Sequence, residues 1–133
     1  MNTVNVKTFN FRQFAITSAL GAAVLNSIVY SISSAAGASM IINQGGAKKI
    51  TLVLVFAFTL IALLVAGGVT YAIGRKTVSF LSKAPLIGLI VGLISVAAPI
   101  QAAQGSGTAV ALAENHVIAS LFWYLGLKRA MKS

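Results

Sequence analysis

Apolar residues fill four blocks of this chain, separated by short interruptions that are polar or rich in glycine. The blocks cover approximately residues 13–38, 50–73, 84–103 and 108–127. Each is near the ~20 residues an α-helix needs to cross a ~30 Å hydrocarbon core. The links are Ser39–Lys49 with Gly45-Gly46, Gly74–Lys83, and Gln104–Gly107. Links this short set successive helices side by side and antiparallel. The pattern therefore predicts an all-α fold, an antiparallel four-helix transmembrane bundle forming one domain over residues 1–133.

Composition agrees with lipid as the solvent. Of the 133 residues, 58% are apolar and 8% are charged, where soluble domains carry ~25% charged residues. Glu114 is the one acid beside ten Lys and Arg. A chain this poor in charge cannot coat itself in a hydrated surface, whereas lipid tails accept an apolar exterior. The net charge of +9 would suggest nucleic acid on a soluble domain. Here the cations cluster between apolar runs, so the expected partner is the lipid bilayer, and no nucleic acid. The absence of Cys removes disulfides, thiol redox chemistry and Cys-ligated metals.

The cations also predict orientation. Lys7 and Arg12, then Arg75, Lys76 and Lys83, then Lys128, Arg129 and Lys132 share one side of an even-numbered topology, and only Lys48 and Lys49 fall on the other. The positive-inside rule puts both termini in the cytoplasm, as expected of a multi-pass membrane protein. Trp123 and Tyr124 suit the aromatic belt at the cytoplasmic end of the fourth helix. The first block, ending in Ala36-Gly37-Ala38, has some features of a signal peptide. Asn26 and Tyr30 sit poorly in such a segment, and it reads as helix 1.

Two features suggest close helix contacts. Ala15, Ala19, Ala23, Ser27, Ser31 and Ala35 recur every four residues and form a ridge of small side chains on the first helix. In the third helix, Gly88 and Gly92 have the G-x-x-x-G spacing. Both patterns let membrane helices approach closely, within one chain or between chains. Pro99 is expected to kink the third helix and free a carbonyl for Ser95 or water.

The candidate chemistry is sparse. Counting ~1.5 Å per residue places Asn26, Tyr30, Ser95, Glu114 and His116 at similar depth, as a polar layer near mid-membrane if the helices face one another. A carboxyl there costs roughly 2.5–3.5 kcal/mol on insertion scales, so a partner, a proton or water is expected to compensate. Glu114 reads equally as a proton- or cation-coupling group and as a hydrogen-bonded structural residue. It stands about 200° around the helix from His116, so one narrow site cannot hold both. An interhelical hydrogen bond suits His116 better than a haem or metal ligand, since one His and one acid make no metal site. No metal or catalytic residue is expected, and no cofactor is required. Nucleophile triads, carboxylate pairs and phosphate loops all lack their parts.

Gly74-Arg75, a Pro-bearing third helix, Thr108, Asn115-His116 and Gly126-Leu127-Lys128-Arg129 together resemble a family of small uncharacterised bacterial four-helix membrane proteins, over roughly residues 50–130. The resemblance implies the topology and a place in the bacterial cytoplasmic (inner) membrane, and carries no activity. Small multidrug exporters, with their carboxylate in the first helix, fit badly, as do membrane glutathione-metabolism proteins with charged core helices. The leading expectation is a non-enzymatic accessory or packing subunit, partnered by other membrane polypeptides or by copies of itself. A small homo-oligomeric transporter or channel using Glu114 is the alternative. A lipid-, quinone- or pigment-binding protein using Trp123, Tyr124 and His116 is a further one.

Overall fold

The computed structural model describes residues 8–132. It contains four helices long and apolar enough to cross a membrane: α1 (Phe11–Ala35), α2 (Leu52–Lys76), α3 (Val78–Ala102) and α4 (Ser106–Ala130). The all-α bundle is as expected, and the helix limits differ from the apolar blocks. The anticipated loop Gly74–Lys83 shrinks to the single non-helical residue Thr77, with Arg75 and Lys76 inside α2 and Lys83 inside α3. Hydropathy ends a span at its first cation, but a helix need not stop there. Long basic side chains reach the interface from within the last turn, where they also oppose the helix dipole.

Both ends of the described chain lie at one end of the bundle, where the Asn10 N–H donates to the Ala130 carbonyl at 3.0 Å. Lys7 lies outside the described residues. Arg12, Arg75, Lys76, Lys83, Lys128, Arg129 and Lys132 belong to this terminal end, and Lys48 and Lys49 to the other. That other end carries a β-hairpin where a plain loop was expected: β1 (Ile41–Asn43) pairs antiparallel with β2 (Ala47–Lys49). Gly45 (φ 67°) and Gly46 (φ 135°) supply the positive φ of its turn. Thr108 ties the hairpin to α4 by accepting the Met40 N–H at 2.9 Å, and the Ile41 carbonyl accepts the Gln104 N–H at 2.8 Å.

Lipid supplies no hydrophobic drive between helices, so close contact has to hold the bundle. Small residues stand at the crossings. A Cβ on Gly88 would collide with the Trp123 indole and one on Gly92 with the Ser120 hydroxyl, so the G-x-x-x-G pair seats α3 on α4 within one chain. Gly126 stands against Ser18 of α1, and Gly67 of α2 against Phe14. Trp123 is edge-on to Phe14 with ring centroids 5.4 Å apart, and its indole N–H donates to the Ala84 carbonyl at 3.1 Å. It is therefore a core residue, and the interfacial belt expected of it is left to Tyr124.

The ridge on α1 does not act as one continuous contact. Ala19 and Ala23 are buried, Ala15 and Ser27 half-buried, and Ser31 and Ala35 exposed. A four-residue step turns an α-helix by ~400°, so the row drifts ~40° per step and rotates away from its neighbour. The wide π turn at Ala15–Leu20 rotates less per residue and offsets that drift between Ala15 and Ala19, so the row turns away beyond Ala23. The buried face instead combines Ser18, Ala19, Ala22, Ala23 and Asn26.

Substituting Gly88 by Ala is expected to destabilise the bundle by about 1–3 kcal/mol, as overpacking does. Gly68, with nothing within 4 Å of its missing Cβ, is the control. Gly68→Ala should leave stability unchanged or raise it through helix propensity. Thermal unfolding in detergent reads both, and equal midpoints for the two variants would contradict the packing account.

Candidate functional site

α3 is interrupted at Ser95–Val96, four residues before Pro99. Proline has no N–H to give the carbonyl four residues back. The freed carbonyl is that of Ser95 itself, and the Ala98 N–H takes it at 3.2 Å. The Ser95 hydroxyl is thereby not needed for it, and it lies 2.6 Å from the Gly92 carbonyl and 2.7 Å from His116 Nδ1. A serine has one proton and a carbonyl has none. Both contacts are hydrogen bonds at once only if Ser95 donates to Gly92 and the protonated Nδ1 of His116 donates to Ser95. The second ring nitrogen, Nε2, is then an acceptor.

A second polar group joins three helices. Asn26 of α1 donates through Nδ2 to Thr59 Oγ1 of α2 at 3.0 Å and to the Asn115 carbonyl of α4 at 3.1 Å. Asn26 is 1% exposed and Asn115 8%. The Oδ1 atoms of both, and Ser18 Oγ, are buried with no hydrogen-bond partner among the described residues.

The five residues expected to share one layer therefore separate. Asn26 joins Thr59 and Asn115, and Ser95 joins His116. Tyr30 donates its hydroxyl to the Ile50 carbonyl at 3.0 Å, beside the start of α2 and away from the others. Glu114 is exposed on the outer face of α4 with Val110, Val117 and Leu121. The ~200° between Glu114 and His116 made that division unavoidable. Asn115, which stands in the sequence between Glu114 and His116, and Thr59 were not among the five residues expected in the layer. Asn115 falls on the buried stripe Thr108, Ala111, Asn115, Trp123, Leu127 and Ala130, legible as a three-to-four spacing of buried positions. Thr59 is the one polar residue between Thr51 and Thr70.

These groups border a cavity of about 640 Å³ between α2 and α3, with α4 and Asn26 of α1 behind it. Its size falls within the ~300–1,000 Å³ of small-molecule sites. The wall is mostly aliphatic and aromatic, with Asn26, Thr59, Ser95, Asn115, His116 and Ser120 as its buried or half-buried polar members. The lining residues that are also exposed mark its mouth. Apart from Gln44 in the hairpin, they are Phe58, Ala62 and Ala66 of α2 and Val91 and Ala98 of α3. No lining residue of α1 or α4 is exposed. The cavity thus opens sideways between α2 and α3, and reaches exposed Gln44 at the hairpin end. Those two helices meet tightly at their shared corner, where a Cβ on Gly74 would collide with Leu81.

A family model described as a family of unknown function (DUF6069) matches residues 7–133. No curated protein and no solved structure matches the chain.

Proposed function

Starting from the family of unknown function to which the chain belongs, we propose that this membrane protein is non-enzymatic and takes a hydrophobic molecule from the bilayer into the cavity between α2 and α3. The observation that carries this reading is the sideways mouth. Rimmed by Phe58, Ala62, Ala66, Val91 and Ala98, it faces hydrocarbon wherever the helices span the membrane, so an apolar ligand enters without crossing water. An empty apolar space of this size would forfeit the dispersion contacts of its walls. The terminal end lies in the cytoplasm in this proposal, because the cations gather there.

A transporter driven by Glu114 gains no support from the geometry, since that carboxyl is turned away from the cavity. Its position favours a second reading instead. Glu114 is eight residues into α4, ~12 Å by helical rise, and exposed. A carboxyl facing lipid at that depth carries the insertion cost already given. A second polypeptide covering this face would relieve that cost, which is the accessory-subunit reading.

Filling the cavity tests the first reading. Ala119 lines it and is half-buried, so Ala119→Phe should fold and lose the hydrophobic molecule that co-purifies with the wild type, by mass spectrometry of gently extracted protein. Ala62→Trp, at the mouth, should act likewise. A wild type that carries no such molecule, or variants that keep it at the same ratio, would contradict the reading. The same spectra read the assembly: Glu114→Leu should shift the chain from complex to monomer, and an unchanged assembly would remove that role for Glu114.

A further inference from the structure

We propose that the ligand of this cavity is a neutral lipid alcohol whose hydroxyl donates a hydrogen bond to Nε2 of His116. The proposal rests on the cavity being a ligand site and specifies what it selects.

Three observations converge on a donor. With the Ser95 hydroxyl donating to the Gly92 carbonyl at 2.6 Å, its 2.7 Å contact with His116 is a hydrogen bond only when the ring proton is on Nδ1. That leaves an unprotonated Nε2, with no partner among the described residues, on a ring that lines the cavity. In the other polar group bordering the cavity, the Asn26 amide spends both protons on Thr59 and on the Asn115 carbonyl. Finally, Oδ1 of Asn26 and Oδ1 of Asn115 receive no hydrogen bond. The polar side of the cavity therefore holds unpaired acceptors, Nε2 of His116 among them, beside the Thr59 hydroxyl and the Asn115 amide. A molecule that only accepts, such as a quinone, an ester or an ether, would leave Nε2 unpaired. A hydroxyl matches it.

Depth argues for neutrality. His116 is ten residues along α4 from Ser106, ~15 Å by helical rise and close to the middle of a ~30 Å core. A charged headgroup would have to be carried there from the interface at the cost that keeps ionic groups out of hydrocarbon. A hydroxyl on a long apolar chain has no such barrier. The chain would lie against Phe58, Leu63, Val91 and Leu112.

The test compares 1-hexadecanol with 1-methoxyhexadecane, equal in chain and differing in the one donor. Each is titrated into the full-length protein in nanodiscs. The alcohol is expected to bind about three- to tenfold more tightly, the worth of one neutral hydrogen bond in a dry site. In His116→Leu the preference should vanish while the ether still binds. Equal binding of the two by the wild type, or a preference that survives in His116→Leu, overturns the assignment to Nε2 and leaves the cavity reading standing. Binding of neither molecule overturns both. His116 is the single histidine, so nitrogen-15 spectra of its ring give a second readout on the unaltered chain, whatever the fate of the variant. A proton on Nδ1 and an Nε2 resonance that moves with the alcohol and not the ether supports the proposal. A proton on Nε2 overturns it.

Discussion

The structure depends on close backbone contact along α4 in a solvent that does not push helices together. Gly88 and Gly92 bring α3 onto Trp123 and Ser120, and Gly126 brings α1 onto α4 at Ser18. Because lipid tails are as apolar as the helices, association comes from dispersion at these crossings and from interhelical hydrogen bonds. The Trp123 indole bond to Ala84 and the Asn26 bond to the Asn115 carbonyl are two such bonds, and each joins α4 to a different helix.

That same constraint leaves a gap. α2 packs along α1, with Gly67 against Phe14 and Asn26 bonded to Thr59, while its glycine contact with α3, Gly74–Leu81, lies toward the terminal end. Toward the hairpin end no glycine draws α2 onto α4, and Asn26 bridges to Thr59 from behind. The break at Ser95–Val96 interrupts the opposite wall. A cavity bounded by α2 and α3 follows from where the small residues are placed and where Pro99 interrupts the ladder.

Much of the architecture is legible in the hydropathy pattern alone. The four spans, their order and the chain ends sharing one side follow from apolar blocks and short links. The interruption of α3 follows from Pro99. The near-absence of a loop at Thr77 is hidden because hydropathy treats Arg75, Lys76 and Lys83 as boundaries. The candidate site is legible in part. Glu114-Asn115-His116 stands out as a triplet, and the 100° step of a helix guarantees that its members face three ways. Deciding which member faces inward needs the neighbours, and the structure turns Asn115 in, sets His116 against Ser95, and leaves Glu114 outside. The cavity has no signature, because α2 is apolar on nearly every side and its periodicity does not tell lipid from protein.

Trp123 is the single tryptophan, lines the cavity and is 6% exposed, which makes it a reporter for whatever enters from the side. The most direct test is quenching of its fluorescence by chain-brominated lipid alcohol in vesicles, which requires contact between bromine and indole. Strong quenching, relieved when Ala119→Phe fills the space, is the predicted result. An indole that stays unquenched in the wild type, as one sealed inside a packed bundle would, contradicts a cavity open to the bilayer.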